Sequence, residues 1–331
     1  MCVLPPVQPM NVIEMTGTGG PEVLTPGTRP IPTPAPHQVL IQVAAAGVNG
    51  PDLMQRRGLY PAPPGASDLL GLEISGTITA LGTDVTAWIV GDQVCALTDG
   101  GGYAQHCVAD AAHCLPIPGG VSLQDAAGLP ESFITIWSNL FHEGGLCAGQ
   151  TLLVHGGAGG LGTTAIQLAH ALGARVFATD SPAARCAVCT DLGADQAIDY
   201  AAEDFVDIVR AAGGADMILD IVGGPYVERN IRAAAAGARI IQLAFALGSK
   251  VEINLMPLML KRITYTGSTL RTRPAAFKAA IVTELRDQIW PLFAAGRLRA
   301  VTSDVLPLAE AGRAHQLMQD AGHTGKILLV P

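Results

Sequence analysis

"LLVHGGAGGLG", residues Leu152–Gly162, places five glycines among the seven positions Gly156–Gly162. So few side chains imply either a sharp turn or the close approach of another molecule to the backbone. The surroundings decide between the two. An apolar strand precedes the loop, and an amphipathic helix follows with Leu161, Ala165, Leu168 and Leu172 on one face. Gly173 stands where a C-cap belongs, and "RVFAT" supplies a second strand. From Leu152 to Thr179 the unit is 28 residues long, the size of a dinucleotide-binding βαβ unit. A pyrophosphate at a helix N-terminus needs free backbone N–H groups and the positive end of the helix dipole. A Cβ at Gly159 or Gly160 would block that approach, whereas Gly162 permits close packing of helix on strand. The loop, Gly157, Ala158, Gly159, Gly160, Leu161 and Gly162, is therefore read as a dinucleotide cradle.

The same alternation continues outward. Strands are expected at Leu152–His155, Arg175–Thr179, Gln196–Asp199, Ala215–Ile221, Ala238–Ala244 and Ile263–Ser268. Helices are expected at Leu161–Leu172, Pro182–Leu192, Ala202–Ala212 and Tyr226–Ala235. Six strands with intervening helices predict an α/β fold with a doubly wound parallel sheet. Upstream, from Val12 to Pro130, short alternating strands such as "HQVLIQVAA" and "EISGTITALG" are broken by glycine and proline, which reads as a separate β-rich domain. Past Arg271 one helix, Phe277–Phe293, leads to the strand-like "GKILLVP". The expected organisation is a flexible leader over 1–9, a β-rich catalytic domain over 10–130, a dinucleotide domain over 131–270 and a return to the catalytic domain over 271–331.

Composition narrows the function. The chain has 331 residues, enough for two cores, with 15% charged and 5% aromatic side chains. Its net charge of -8 argues against nucleic-acid partners. No uncharged apolar run is long enough to span a membrane, and "MCVLPPVQPM" lacks the basic and apolar regions of a signal peptide. Seven cysteines without a framework spacing read as reduced thiols, and a cytoplasmic location is expected.

Asp180 ends the second strand eighteen residues after Gly162. A carboxylate there can accept hydrogen bonds from both ribose hydroxyls and repel a 2′-phosphate, favouring NADH over NADPH. Arg185, five residues on, could instead pair with that phosphate, so NADPH stays open. The other role open to Asp180 is a helix N-cap before Pro182.

With both halves read, the chain resembles the medium-chain dehydrogenase/reductase superfamily, a GroES-like β domain followed by a Rossmann domain. More narrowly it resembles the zinc-free quinone oxidoreductases of the zeta-crystallin-like branch. The resemblance runs from Asn11 to Val330 through "GGPEVL", "AAAGVNGPDLMQRRGLYPAPPGASDLLGLEISG", "GGGYAQHC", "VHGGAGGLG", "LDIVGG" and "GKILL". Zinc enzymes of the superfamily carry cysteine at the position of Asn49, histidine at that of Leu72 and a third ligand near Glu131. With those ligands replaced, and with no four-cysteine lobe between Val94 and His113, no metal is expected. Cys186 and Cys189 form a C-x-x-C on a helix without a second pair, and His106, His113 and His142 lack a ligand spacing.

The resemblance implies hydride transfer from NAD(P)H to a quinone or activated enone, with the oxyanion held by a few hydrogen bonds. It places Asn49 on the pocket floor as a donor to the substrate carbonyl, Asp52 as the residue that orients that loop, and Tyr60 at the quinone oxygen or as a wall of the cleft. On the cofactor side it implies Thr135 near the nicotinamide and Val222 and Gly223 at the adenine ribose. Leu243, Ala244, Phe245, Thr269, Leu270 and Arg271 are expected at the carboxamide, Tyr200 beside the adenosine phosphate, and Ser181 after the second strand. Where the branch reads Thr-Ala-Gly-Ser-x-x-Lys, this chain has "TDSPAAR", so Asp180 and Arg185 replace a small residue and a lysine. A homodimer through "RIIQLAF" and "ITYTGSTL" is expected. Two other functions are carried. One is an enoyl-thioester reductase, favoured if Arg56, Arg57, Arg271 and Arg273 form a basic mouth; the other is a non-enzymatic nucleotide-binding protein with a redox-sensing or structural role.

Overall fold

The computed structural model describes residues 9–331. The leader expected over 1–9 lies outside the described residues except for Pro9, which already belongs to a strand. The chain forms two compact units, one running up to Glu131 and resuming over Pro274–Pro331, the other Ser132–Arg273.

The first unit is β-rich. β1 (Pro9–Met15) and β2 (Leu24–Pro30) form a two-stranded antiparallel sheet, and Val12 of β1 also bridges to Ala104. Pro26 and Pro30 of β2 cannot donate to a ladder, which suits a strand with a single neighbour. The larger sheet is built from β3 (Gln38–Gly47), β4 (Glu73–Leu81), β5 (Gln93–Leu97), β6 (His106–Asp110) and β7 (Cys114–Pro116). It also takes β14 (Thr302–Pro307) and β15 (Lys326–Val330) from the far end of the chain. Its order is β14-β15-β3-β4-β5-β7, with β6 also on β3. Val39, Ile41 and Val43 of β3 lie in its core with Ile74, Ile78 and Leu329, as the alternation in "HQVLIQVAA" predicts. A short helix, α1 (Gly50–Arg56), follows β3 directly.

The second unit carries the expected doubly wound sheet. β8 (Thr151–His155), β9 (Arg175–Asp180), β10 (Gln196–Asp199), β11 (Ala215–Asp220), β12 (Ala234–Gln242) and β13 (Thr264–Gly267) lie in the order β10-β9-β8-β11-β12-β13. Every pairing is parallel. The order reverses between β8 and β11, the switch point at which open α/β sheets bind ligands beyond the strand C-termini. α2 (Pro130–Ile136) carries the chain into this unit, and α3 (Gly160–Ala171), α4 (Ala183–Asp191), α5 (Phe205–Ala211), α6 (Tyr226–Ala233) and α7 (Met256–Lys261) follow successive strands. Leu153, Phe177, Ile198, Ile218 and Ile240 supply the core between the sheet and α5–α6.

Two expectations need correction. β12 starts earlier and ends at Gln242, so Leu243 and Ala244 lie in the following loop. The single helix expected over Phe277–Phe293 is three pieces. α8 (Ala275–Glu284) widens to π-helical turns over Leu285–Ile289, and α9 (Trp290–Ala294) restarts with Pro291 in its first turn. Proline has no N–H to donate to the carbonyl of the preceding turn, so the regular α-helical ladder is lost there. α10 (Ala311–Gln319) packs in the first unit. Among the described residues no helix is long and apolar enough to cross a membrane.

Candidate active site

The glycines of the decisive loop have different causes. Gly156 leaves β8 at φ 69°, a left-handed conformation that side chains disfavour. Its N–H and that of Gly157 both donate to the Thr179 carbonyl at 3.0 Å. A Cβ on Gly157 would lie 2.6 Å from Cys189 Sγ and 2.9 Å from Ala178 Cβ. Gly157 thus faces the core, which corrects its assignment to the cofactor. A Cβ on Gly162 would lie 2.2 Å from the Gly156 carbonyl oxygen, so the first turn of α3 must be bare to sit on the loop. Gly159 is different: its φ is an ordinary −78°, and the nearest protein atom to a Cβ there is 3.4 Å away. Among the described residues no packing contact requires glycine at Gly159. It is the N-cap of α3, and no side-chain cap takes the first-turn N–H groups of Gly160, Leu161 and Gly162, where the positive end of the helix dipole lies. Such a terminus accepts a phosphate.

Asp180 fills neither role expected for it. Its side chain is buried, with Oδ1 accepting from Ser181 N at 2.8 Å and Arg185 Nε at 2.6 Å, and Oδ2 from Ala158 N at 2.8 Å. A buried carboxylate takes every donor within reach, because an unpaired one would cost several kcal/mol. It therefore presents no free oxygen to a ribose, and it is not an N-cap either, since that position of α4 is Pro182. The same contacts correct two neighbours. The Ala158 N–H is spent within the protein, and Arg185 is ion-paired with Asp180. Tyr200 donates its backbone N–H to the Asp180 carbonyl, with its side chain 47% exposed beside that corner.

On the other side of the switch point, Asp220 closes β11. Its Oδ1 accepts from Val222 N at 2.6 Å and Gly223 N at 3.0 Å, and its carbonyl accepts from Leu243 N. Leu247 N donates to the Val222 carbonyl, which seats the loop bearing Ala244 and Phe245 on this turn. Phe245 is 49% exposed. Thr269 and Leu270 follow β13, and Thr135 is buried on α2. The expected cofactor residues that follow β8–β13 thus share one rim, the C-terminal edge of the parallel sheet. A cavity of about 430 Å³ elsewhere in this unit takes in Thr269, with Asn139, Arg239, Thr266 and Ser268, and leaves out the glycine loop.

In the first unit, Asn49, Asp52 and Tyr60 gather around α1. Asp52 Oδ2 accepts from Asn49 N at 2.9 Å and Oδ1 from Gly71 N at 3.0 Å, tying the start of α1 to the chain before β4. Burial pushes the Asp52 carboxyl up to about 6. The Asn49 amide is not offered to a substrate. Nδ2 donates to Glu73 Oε1 at 2.9 Å, and Oδ1 accepts from Lys326 Nζ at 2.6 Å. Lys326 Nζ also lies 2.6 Å from Glu73 Oε1, and Glu73 Oε2 accepts from Glu131 N. The cause is the fully buried Glu73 carboxylate, which draws in both the amide and the ammonium. Tyr60 is half-buried in the turn after α1.

The four arginines expected at a basic mouth lie two in each unit. Arg56 is fully buried, bonding His315 Nδ1 and Gln319, and Arg57 bonds the same Gln319. Arg271 is buried, and Arg273 is ion-paired with Glu143. Lys326 and the buried His155, Asn230 and Asp220 were missed by sequence reasoning. Only Asp220 left a signal, as an Asp two residues before a Val-Gly-Gly turn, where its side chain can bond the N–H groups two and three residues on.

Among the described residues no group of three or more His, Cys, Asp or Glu side chains is placed to hold a metal ion. At Asn49 and Glu73 the cationic partner is already the Lys326 ammonium. Cys186 and Cys189 are both buried on α4, and burial pushes the Cys189 thiol up to about 12, an unreactive form.

Comparison with known proteins agrees with this architecture. Residues 35–119 match the alcohol dehydrogenase GroES-like domain, and residues 160–285 match the zinc-binding dehydrogenase family. The chain is 31% identical to a quinone oxidoreductase of Lama guanicoe, over 97% of each chain. It is 29% identical to a segment, 14% of the length, of a phenolphthiocerol/phthiocerol polyketide synthase subunit of Mycobacterium tuberculosis, over 89% of this chain. The solved structure of Escherichia coli quinone oxidoreductase complexed with NADPH superposes with a TM-score of 0.87 at 27% identity, covering 97% of this chain and all of that one. The chain belongs to the medium-chain dehydrogenase/reductase superfamily, in its quinone oxidoreductase branch. It is an oxidoreductase that binds a nicotinamide cofactor.

Proposed function

We propose that this oxidoreductase reduces a quinone or activated enone with NADPH, without a metal. The observation that carries the reading is Gly159, a glycine that no packing contact among the described residues requires, at an uncapped helix N-terminus on the switch-point rim. When bound, the nicotinamide supplies two electrons and a proton's worth of hydrogen to an electron-poor carbon. The chain's own part is to hold the phosphates on the N–H groups of Gly160, Leu161 and Gly162 and to shape the rim with Phe245 and Thr269. As the family resemblance implies, the Tyr60 hydroxyl is proposed as a substrate-side hydrogen-bond donor. The second proton of the reduced product comes from water.

The reason for preferring NADH falls away with Asp180. Its carboxylate is balanced by Arg185 and two backbone N–H groups, so it repels a 2′-phosphate less than a free carboxylate would, and Arg185 stands beside it. The similarity to a polyketide synthase segment favours a 2-enoyl thioester as the second substrate class. A homodimer is also proposed, because β13 is the edge of its sheet and exposed Leu247, Leu255, Met256, Met259, Leu260 and Tyr265 cluster in the sequence leading to it.

The test is oxidation of NADPH and NADH, side by side and with chelator present, using an ortho-quinone and then a 2-enoyl thioester. Quinone turnover with NADPH preferred, and a preference lost in Arg185→Ala, is the expected result. Turnover of the thioester alone moves the substrate assignment. No turnover with either, despite cofactor binding, favours the non-enzymatic alternative.

A further inference from the structure

His155 closes β8 immediately before the glycine loop and is fully buried, with a hydrogen bond on each ring nitrogen. Nδ1 lies 2.8 Å from Thr179 Oγ1, and Nε2 lies 2.7 Å from Asn230 Oδ1. Asn230 Nδ2 donates to Asp220 Oδ2 at 2.9 Å, while Asp220 Oδ1 accepts from Val222 N and Gly223 N. All four side chains are buried.

The direction of this chain is set from its far end. Asp220 takes only acceptor roles, so Asn230 must turn its NH2 towards the carboxylate and its oxygen towards the ring. That oxygen needs a proton on His155 Nε2. Burial lowers the imidazole's pKa, and the rings of Phe205 and Tyr226 pack against it with centroids at 4.8 Å and 4.9 Å. With one proton, on Nε2, the ring accepts at Nδ1, and the Thr179 hydroxyl is the donor.

The two ends of the chain sit on the two sides of the switch point. The Thr179 carbonyl holds the N–H groups of Gly156 and Gly157, where the glycine loop begins. Asp220 holds the Val222–Gly223 turn that seats the loop of Phe245.

We propose that His155 is a positioning residue for the dinucleotide, joining the glycine loop to the Val222–Gly223 turn so that both parts of the rim are held in one preformed arrangement. This rests on the reading that the rim binds NAD(P)H. A preformed site loses less freedom on binding, so loosening the chain lowers cofactor affinity ahead of the rate at saturation.

Thr179→Val removes one hydroxyl and keeps the shape. Its Kd for NADPH, read from nicotinamide fluorescence, is expected to rise about threefold to tenfold with kcat at saturation within about twofold, the range of one buried hydrogen bond. Asn230→Leu breaks the other side of the ring. Because Thr179 and Asn230 act through the same imidazole, the double variant is expected to lose little more than the worse single variant. Should Asn230→Leu not fold, ring-nitrogen NMR of His155 in the unaltered protein gives an independent reading, with the Nε2–H tautomer expected. Unchanged affinity in Thr179→Val, fully additive losses, or an Nδ1–H tautomer would each overturn the proposal. If the unaltered protein binds neither NADPH nor NADH, the dinucleotide reading fails instead.

Discussion

Glu73 in one unit and Asp220 in the other are both fully buried carboxylates, and they are satisfied by opposite means. Glu73 is met by the Lys326 ammonium, the Asn49 amide and one backbone N–H. Asp220 has only neutral donors, two backbone N–H groups and the Asn230 amide. The contrast separates a charge-balanced cluster, whose parts depend on one another, from a hydrogen-bonded relay that can lose a member at less cost. Removing a charged partner should therefore be far more damaging than removing a neutral one.

The largest effect is expected from Lys326→Met. It strands the Glu73 carboxylate and should lower stability by about 3–5 kcal/mol, read from urea unfolding. The double variant Lys326→Met/Glu73→Leu should recover much of that loss, whereas an undiminished loss would mean that the lysine stem, rather than its charge, holds the site.

Next come two glycines of the same loop. Gly162→Ala forces a methyl group onto the Gly156 carbonyl and should cost about 1–3 kcal/mol of stability. Gly159→Ala meets no such contact and should cost less than about 1 kcal/mol. Its NADPH affinity should nonetheless fall roughly tenfold, because the approach of a phosphate to the α3 N-terminus is obstructed. Equal stability losses at the two positions, measured by thermal unfolding, would erase the distinction between a packing glycine and a ligand glycine.

At any one pH near neutrality the last effect is the smallest, because it appears only on acidification: a pH dependence in the first unit. Burial raises Asp52 to about 6 from 3.8 and lowers His315 to about 3 from 6.5. Between about pH 4 and 6 the folded protein holds a proton on Asp52 that the unfolded chain releases, so this group's contribution falls as pH rises. Over the same window the unfolded chain binds a proton that folded His315 refuses, so its contribution falls as pH drops. The two slopes oppose each other. In Asp52→Asn only the histidine remains, and stability relative to the unaltered protein should decline on acidification by about 1.4 kcal/mol per pH unit in this window. Parallel pH profiles for the two proteins would show that Asp52 does not titrate there.

The glycine loop was legible because its constraints are contiguous. A strand, a bare turn and an amphipathic helix lie within 28 residues, and each leaves its own periodicity. Asp180 shows the limit of that kind of reading. Its spacing from Gly162 put it at the correct strand end, but whether its oxygens face a ribose or the Ala158 N–H depends on a side-chain direction no spacing encodes. Asn49 is the same case, its amide turned towards Glu73 and Lys326 rather than the substrate.

By itself, then, the sequence determined the two-part architecture, the parallel sheet with its switch point, and the glycine loop proposed to receive a dinucleotide, because hydrophobic period and backbone permission are local properties. Tertiary structure alone decided which carboxylates are free and which are consumed. Lys326 stands 277 positions from Asn49, and Asn230 stands 75 from His155. A buried polar group is satisfied by whatever donor the fold brings within about 3 Å, wherever that donor lies in the chain.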